Sequence, residues 1–345
     1  MSTISDVAKA AGVSKATVSR VLNNTAIVNS ETRAHILQTI EQLHFVPNIN
    51  ARGMRNKSTG IIGVVFPEYL NPFGYEIIQH IELATAQKGY HTLITSIGPQ
   101  EDKVSRIREL VNRSIDGLVL YLYDIEPEMH RYLFELSQKK QMPLVYLGDY
   151  SLRWPVNIVV TRSGMGIMVK HLLERGRRKI GIIAVRPTYM KDDRITGYQD
   201  ALREAGIDYR NDYVFNADYS LESGYKAGEY FVSMGAERPD AIVSYTDYMA
   251  IGAMNYLQKS KILIPEDIAI AGYDGISMGR FTNPPLTTFK QDFKQYGLSI
   301  VESLLEQMAD PERAPQTITL EGELIVREST DDNYSWIISQ IDFRG

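Results

Sequence analysis

Along the first 45 residues, apolar side chains recur at helical spacing. Ile4, Val7, Ala8 and Ala11 mark a short helix over about 5–11, Val18, Val21 and Leu22 a second over about 15–22, and Ile36, Leu37, Ile40 and Leu43 a third over about 30–43. Thr3-Ile-Ser-Asp6 predicts a capping box with Asp in the reaching-back position. In Gly12-Val-Ser14 the glycine allows φ > 0 at the helix end, Val13 can plug the gap between helices, and Ser14 can cap the next helix. From Gly60 the pattern changes to short apolar runs alternating with helical stretches: Ile61–Phe66, His91–Thr95, Gly117–Tyr121 and Pro143–Leu147. A second set begins near Ile158 and includes Ile180–Ala184, Ala241–Ser244 and Ile268–Ala271. These runs predict parallel strands in βαβ units and an α/β core of two similar Rossmann-like halves.

With 345 residues, 44% of them hydrophobic and 23% charged, the chain is too long for one compact domain. No stretch approaches the roughly 18 uninterrupted apolar residues that span a bilayer, and the start carries no signal-peptide pattern, so a cytosolic protein with no membrane partner is expected. Zero Cys and six His, without HExxH spacing, exclude disulfides, thiolate zinc sites and cysteine nucleophiles. Neither half has GxGxxG at its first turn and no GxxxxGK[ST] occurs, so no cofactor and no metal is expected. The net charge of −5 hides an asymmetry: residues 1–58 carry seven Lys and Arg against three acids, a local +4, which leaves −9 for the remainder. That split suits a phosphate-seeking module on an acidic body, and equally a solvated basic surface.

The second helix decides between these. Packing Val18, Val21 and Leu22 inward leaves Lys15, Ala16, Thr17, Ser19 and Arg20 on or near an outward face where short and basic side chains fit a DNA major groove. The run Ile4-Ser-Asp-Val-Ala-Lys-Ala-Ala-Gly-Val-Ser-Lys-Ala-Thr-Val-Ser-Arg-Val-Leu-Asn23 resembles the headpiece signature of the LacI/GalR repressors nearly position for position. The resemblance implies a helix-turn-helix headpiece over 1–45, with Lys15 and Ala16 as main base readers and Arg20 also in the groove. Thr3, Ser14, Thr17, Ser19 and Asn23 would be held near phosphates, though the hydroxyls of Thr17 and Ser19 can equally bond back along the helix. Residues 46–59 resemble the family's hinge helix and linker, which implies DNA contacts from Asn48, Ala51, Arg52, Met54 and Arg55, with Met54 where an apolar wedge enters the minor groove. Gly53 weakens that helix by up to about 1 kcal/mol relative to Ala.

The two halves resemble periplasmic sugar-binding proteins and the LacI/GalR core, in which a ligand lies between subdomains and the chain crosses three times. On that pattern residues 60–158 with 288–319 form the first half and 159–287 with 320–345 the second. Motifs matched one at a time implicate Arg194 in Asp193-Arg-Ile-Thr-Gly-Tyr198, Asp274 in Gly272-Tyr-Asp-Gly275 and Tyr219 in Asp218-Tyr-Ser220. They also implicate Phe73 as a lid after Asn71-Pro, Asp149 after the fourth strand, and Thr246 with Asp247. Asp274 could instead cap the following helix, and Tyr219 could be an ordinary half-buried ring. Thr246 stands where relatives usually have Asn, and Val160-Thr161 where they have Asp-Asn, so the effector does not transfer from a relative. Asp, Arg and aromatics together suit a hydroxyl-rich ring, and Arg153, Arg162, Arg186 and Lys191 leave room for a sugar acid or sugar phosphate.

The expected function is therefore a non-enzymatic, ligand-responsive regulator, a repressor of carbohydrate-utilisation genes, whose partners are double-stranded operator DNA, a sugar-derived effector and a second copy of itself. A transporter-linked solute-binding protein would share the core but lack the headpiece. An enzyme would need a nucleophile, metal or phosphate motif beside the Asp and Arg, and none is seen. Trp336, Ile337 and Ile341 in the tail form no leucine heptad and suggest packing on the second half.

Overall fold

The computed structural model describes residues 2–23, 28–45, 58–67, 72–98, 100–122, 125–148, 156–185 and 193–331. Outside these fall Asn48, Ala51, Arg52, Met54, Arg55, Asp149, Arg153, Arg186, Lys191 and the tail with Trp336. The chain divides into two compact units, Met1–Thr59 and Gly60–Gly345.

The first unit packs α1 (Ile4–Ala10), α2 (Lys15–Asn23) and α3 (Ser30–Gln42) around Val7, Ala8, Ala11, Val18, Val21 and Ile36. The capping box forms: Thr3 N–H donates to Asp6 Oδ2 at 2.8 Å, and the Asp6 N–H donates to the Thr3 hydroxyl at 3.3 Å. Gly12 has φ +65°, the turn conformation its position calls for. Ser14 caps α2, its hydroxyl accepting the Thr17 N–H at 3.1 Å. One expectation fails: Leu37 is exposed, and Thr39 takes its place in the core. The buried stripe of α3 runs Ile36, Thr39, Ile40, Leu43, the i, i+3, i+4, i+7 face, and Leu37 lies one position and about 100° off it.

The second unit holds two six-stranded sheets. The first orders its strands β11 (Thr317–Leu320), β5 (Asn157–Thr161), β4 (Leu144–Leu147), β3 (Gly117–Leu120), β1 (Ile61–Pro67), β2 (His91–Ile97). The second runs β12 (Gly322–Ile325), β10 (Thr287–Gln291), β9 (Ala269–Asp274), β8 (Ala241–Ser244), β6 (Ile180–Ala184), β7 (Val214–Asn216). All pairings are parallel except β10 with β12, where Phe289 faces Leu324. β3, β4, β6, β8 and β9 are buried along their whole length, as strands covered on both faces must be, which is why they read as unbroken apolar runs.

The connecting helices are α4 (Pro72–Gln87), α5 (Lys103–Val111), α6 (Pro127–Gln138), α7 (Met165–Glu174), α8 (Asp193–Glu204), α9 (Leu221–Ser233), α10 (Asp247–Lys259) and α11 (Phe293–Ala309). The chain passes between the sheets after β5, after β10 and after β11. This corrects two expected boundaries. Asn157–Thr161 closes the first sheet rather than opening the second half near Ile158, and Thr287–Gln291 pairs with β9 in the second sheet rather than starting the return at 288. Neither run carries a marker of its sheet, because partnership is decided by distant residues. On its return α11 packs along α4, so closely that a Cβ on Gly297 would lie 2.5 Å from the His80 carbonyl oxygen.

Candidate functional site

In the headpiece the three-helix core fixes which side chains of α2 face outward. Val18 and Val21 are buried; Lys15, Ala16, Arg20 and Ser14 are exposed, and Thr17 and Ser19 are half-buried. Thr3 and Ser14 spend their hydroxyls on helix caps, and the Thr17 hydroxyl lies 2.9 Å from that of Ser14, so in the free molecule these groups order the turn. Asn23 ends α2, and its side chain is not among those described. The result is one helix of the headpiece presenting two cations and small side chains on a single solvent face, the chemistry needed to approach base edges closely.

In the core the candidate residues come from the carboxyl ends of parallel strands, where open α/β sheets hold ligands. Phe73 follows β1, Arg194 follows β6, Tyr219 follows β7, Thr246 and Asp247 follow β8, and Asp274 ends β9. The structure brings Arg194, Asp274 and Tyr219 together. Arg194 is half-buried, its guanidinium carbon 4.2 Å from the centre of the Tyr273 ring and 5.6 Å from that of Tyr245, and it donates to the Tyr245 carbonyl at 2.7 Å. Burial works against its charge, but the fields of Tyr273, Asp274, Tyr219 and Tyr245 outweigh burial and hold it firmly protonated. Asp274 is buried and accepts from Gln291 Nε2 at 2.9 Å. Burial pushes its carboxyl well above the usual carboxylate range, Arg194 pulls it back, and Asp247 pushes it up again. Its backbone stands at φ 115°, a conformation L residues rarely adopt, so the surrounding structure pays strain to aim this side chain. Tyr219, at φ 69°, is held in a similar way.

Three of the predicted contacts turn out to have other work. Asp247 is wholly buried: its Oδ2 accepts the N–H groups of Gly275 at 2.9 Å and Ile276 at 2.8 Å, which pins the turn that follows Asp274. Burial raises its pKa to about 7 against the hydrogen bonds of Thr288, Ile276 and Gly275, and its Oδ1 has no hydrogen-bond partner. Thr246 is buried and uses its hydroxyl to cap α10, accepting the Met249 N–H at 3.2 Å. Phe73 is no open lid: it is buried, its ring 5.9 Å from Tyr121 and 5.5 Å from Phe293. The alternative role of Asp274 as a cap also fails, because the short 3-10 turn Ser277–Arg280 starts at Ile276 without a side-chain cap.

Sequence reasoning missed Tyr273, Tyr245, Tyr121, Phe293 and Tyr296. Tyr273 stood inside the Gly272-Tyr-Asp motif and Tyr121 at the end of a predicted strand, so position relative to strand ends was an available signal. Phe293 and Tyr296 gave none, since both stand in a helix that carries no motif of its own. Glu76 on α4 accepts the Ser277 N–H from the second half at 3.2 Å, a contact only the assembled core defines. Together these groups offer a firmly charged donor, a buried carboxyl and aromatic faces, an array suited to a small polar ring.

Comparison with known proteins agrees with both parts. The family model described as bacterial regulatory proteins of the lacI family matches residues 3–48, and that of the periplasmic binding protein-like domain matches 169–330. The HTH-type transcriptional repressor PurR of Aliivibrio salmonicida is 31% identical over 95% of this chain and 99% of its own. The protein of the same name from Photobacterium profundum is 29% identical over 96% and 99%. Among solved structures, the lac repressor dimer bound to operator and the anti-inducer ONPF superposes with a TM-score of 0.83 at 26% identity, covering 95% of this chain and 99% of that one. The complex of the regulator CelR with cellobiose gives 0.71 at 27% identity, covering 95% and 100%.

Proposed function

Because the chain belongs to the LacI family of bacterial regulatory proteins and is a DNA-binding transcriptional repressor of that family, we propose that a sugar or sugar-derived effector, bound between the halves of the core, controls its grip on operator DNA. The observation that carries this reading is Arg194, stacked on Tyr273 and fixed by the Tyr245 carbonyl beside the buried Asp274. A preset donor and acceptor pair of this kind selects adjacent hydroxyls. Tyr219 and Asp149 complete the proposed set, while Phe73 acts through the aromatic wall it shares with Tyr121 and Phe293. The cellobiose bound by CelR supports the carbohydrate class. The relatives called PurR favour a second reading, a purine, for which that aromatic wall would serve as a stacking face.

On the DNA, Lys15, Ala16 and Arg20 read bases, Thr3, Ser14, Thr17, Ser19 and Asn23 hold the backbone, and Asn48, Ala51, Arg52, Met54 and Arg55 add contacts in which Met54 enters the minor groove. The protein acts in the cytoplasm as a homodimer, as the dimeric lac repressor on operator suggests, and the exposed apolar side chains Tyr75, Leu83, Met278 and Phe281 are candidates for the subunit contact. Among the described residues no helix is long and apolar enough to cross a membrane.

The test is fluorescence anisotropy on a selected pseudo-palindromic duplex at two salt concentrations, titrating cellobiose, glucuronate, glucose 6-phosphate and hypoxanthine. A tight, salt-sensitive complex shifted by a sugar supports the carbohydrate reading and gives the sign of the effect. A shift by hypoxanthine alone replaces it with the purine reading, and no response to any compound removes both.

A further inference from the structure

The segments that join the two halves are short: 162–164 after β5, Asp292 after β10 and Glu321 after β11. Two of them bear on the same side chain. A Cβ on Gly164 would lie 2.2 Å from Phe289 Cδ2, and a Cβ on Gly322, at the far side of the last segment, would lie 2.5 Å from Phe289 Cε1. Both distances are impossible for real atoms, so the ring is seated where only glycines can pass it. Phe289 itself is 2% exposed and stands in β10, one residue pair from each neighbouring strand. Beside it lies Tyr273, ring centres 5.1 Å apart, whose hydroxyl accepts the Gly164 N–H at 3.4 Å and whose face carries the Arg194 guanidinium.

A second path joins Arg194 to the same place. Gly197, one turn further along α8, packs so tightly on the start of α7 that its Cβ would lie 3.2 Å from Gly166 N. Arg194 is therefore linked to the joining segment at 162–164 and to the start of α7 by two paths, one through Tyr273 and one through α8. Packed interiors shift between discrete arrangements rather than deforming smoothly, so a rigid ring under a glycine at each of two crossings is where a rotation of one half on the other would turn.

We propose that Phe289 is the pivot of the core, with Tyr273 as the positioning residue that links it to Arg194. The proposal rests on the reading that the halves change their mutual orientation when the cleft is filled, but it can be tested without an effector. The chain has no cysteine, so Lys88→Cys on the first half and Glu229→Cys on the second, both at exposed positions, accept spin labels uniquely. Pulsed electron spin resonance on the full-length protein, with and without the selected operator duplex, then reads the separation of the halves.

Gly164→Ala should move the mean distance by about 2 Å or more and change operator affinity by about tenfold. Adding Phe289→Leu to it should restore the parental distance, because the smaller side chain makes room for the new methyl group. Phe289→Leu alone should broaden the distribution while thermal unfolding remains cooperative. A parental distribution in both single variants, or a double variant that stays shifted, overturns the proposal. If Gly164→Ala does not fold, Phe289→Leu decides alone, because it introduces no clash. Absence of any effector response with the labels behaving as described would remove the ligand reading and leave the pivot standing.

Discussion

The headpiece and the core use cationic side chains in opposite settings. Lys15 and Arg20 project from a small three-helix unit into solvent, where their charge is screened and their value lies in what they meet. Arg194 is half-buried over Tyr273, fixed by a backbone carbonyl and flanked by a buried carboxyl before anything binds. The first arrangement needs only a helix with the right outward face. The second needs the ends of several strands brought to one point, and it gives orientation in return.

The sharpest way to break this contrast is Arg194→Ala. It should weaken the response to whichever compound binds by at least about 100-fold, as expected when a charged donor fixed in a desolvated site is removed, and leave operator affinity without effector within a few-fold. A retained response in the anisotropy titration would mean that the cleft assignment is wrong. Arg20→Ala should do the reverse, weakening specific operator binding by about 1–3 kcal/mol while effector affinity, read by calorimetry, stays at the parental value.

Acid and alkali separate the regions further. Asp247 is held protonated by burial up to about pH 7 in the folded core but ionises near 3.8 when unfolded. A carboxyl of this kind makes the folded state lose stability as pH rises through that window, with no further loss above it. Asp274, also raised by burial, acts in the same direction. Asp247→Asn should flatten part of that slope in denaturant titrations of the full chain; an unchanged slope would show that Asp247 ionises alike in both states. Asp6 behaves oppositely: the Thr3 hydroxyl and N–H hold its carboxyl below its ordinary value, so its contribution is present at neutral pH and fades as pH falls below the usual carboxylate range. The smallest effect expected is Thr3→Ala, which should destabilise the headpiece by about 1 kcal/mol, a fall of several degrees in its melting by circular dichroism, with the core transition unmoved.

The same contrast explains what could be read in advance. The headpiece was legible almost in full because its helices are set by local signals: the Thr3–Asp6 box, Gly12 at the turn and the Ser14 cap all formed. Its one error, Leu37, came from counting an apolar residue one position off the buried stripe. In the core the buried runs announced strands but not their sheet, so Asn157–Thr161 and Thr287–Gln291 were misassigned. Short motifs singled out Arg194 and Asp274, and the structure sets them near each other at the strand ends. Thr246 and Asp247 were found the same way, yet the fold commits them to a helix cap and a turn, uses that a motif cannot distinguish from ligand contact.

By itself the sequence determined the helix-turn-helix unit, the outward face of its second helix, the α/β character of the remainder and the family to which the chain belongs. These depend on periodicity, capping and turn chemistry, all expressed within a few neighbouring residues. Only the tertiary structure decided which strands share a sheet, where the chain crosses, which aromatic lies under Arg194, and that Phe289 sits beneath Gly164 of one joining segment and Gly322 at the start of β12. Those are contacts between residues far apart in the chain, and their geometry is settled by packing in three dimensions, which no local pattern records.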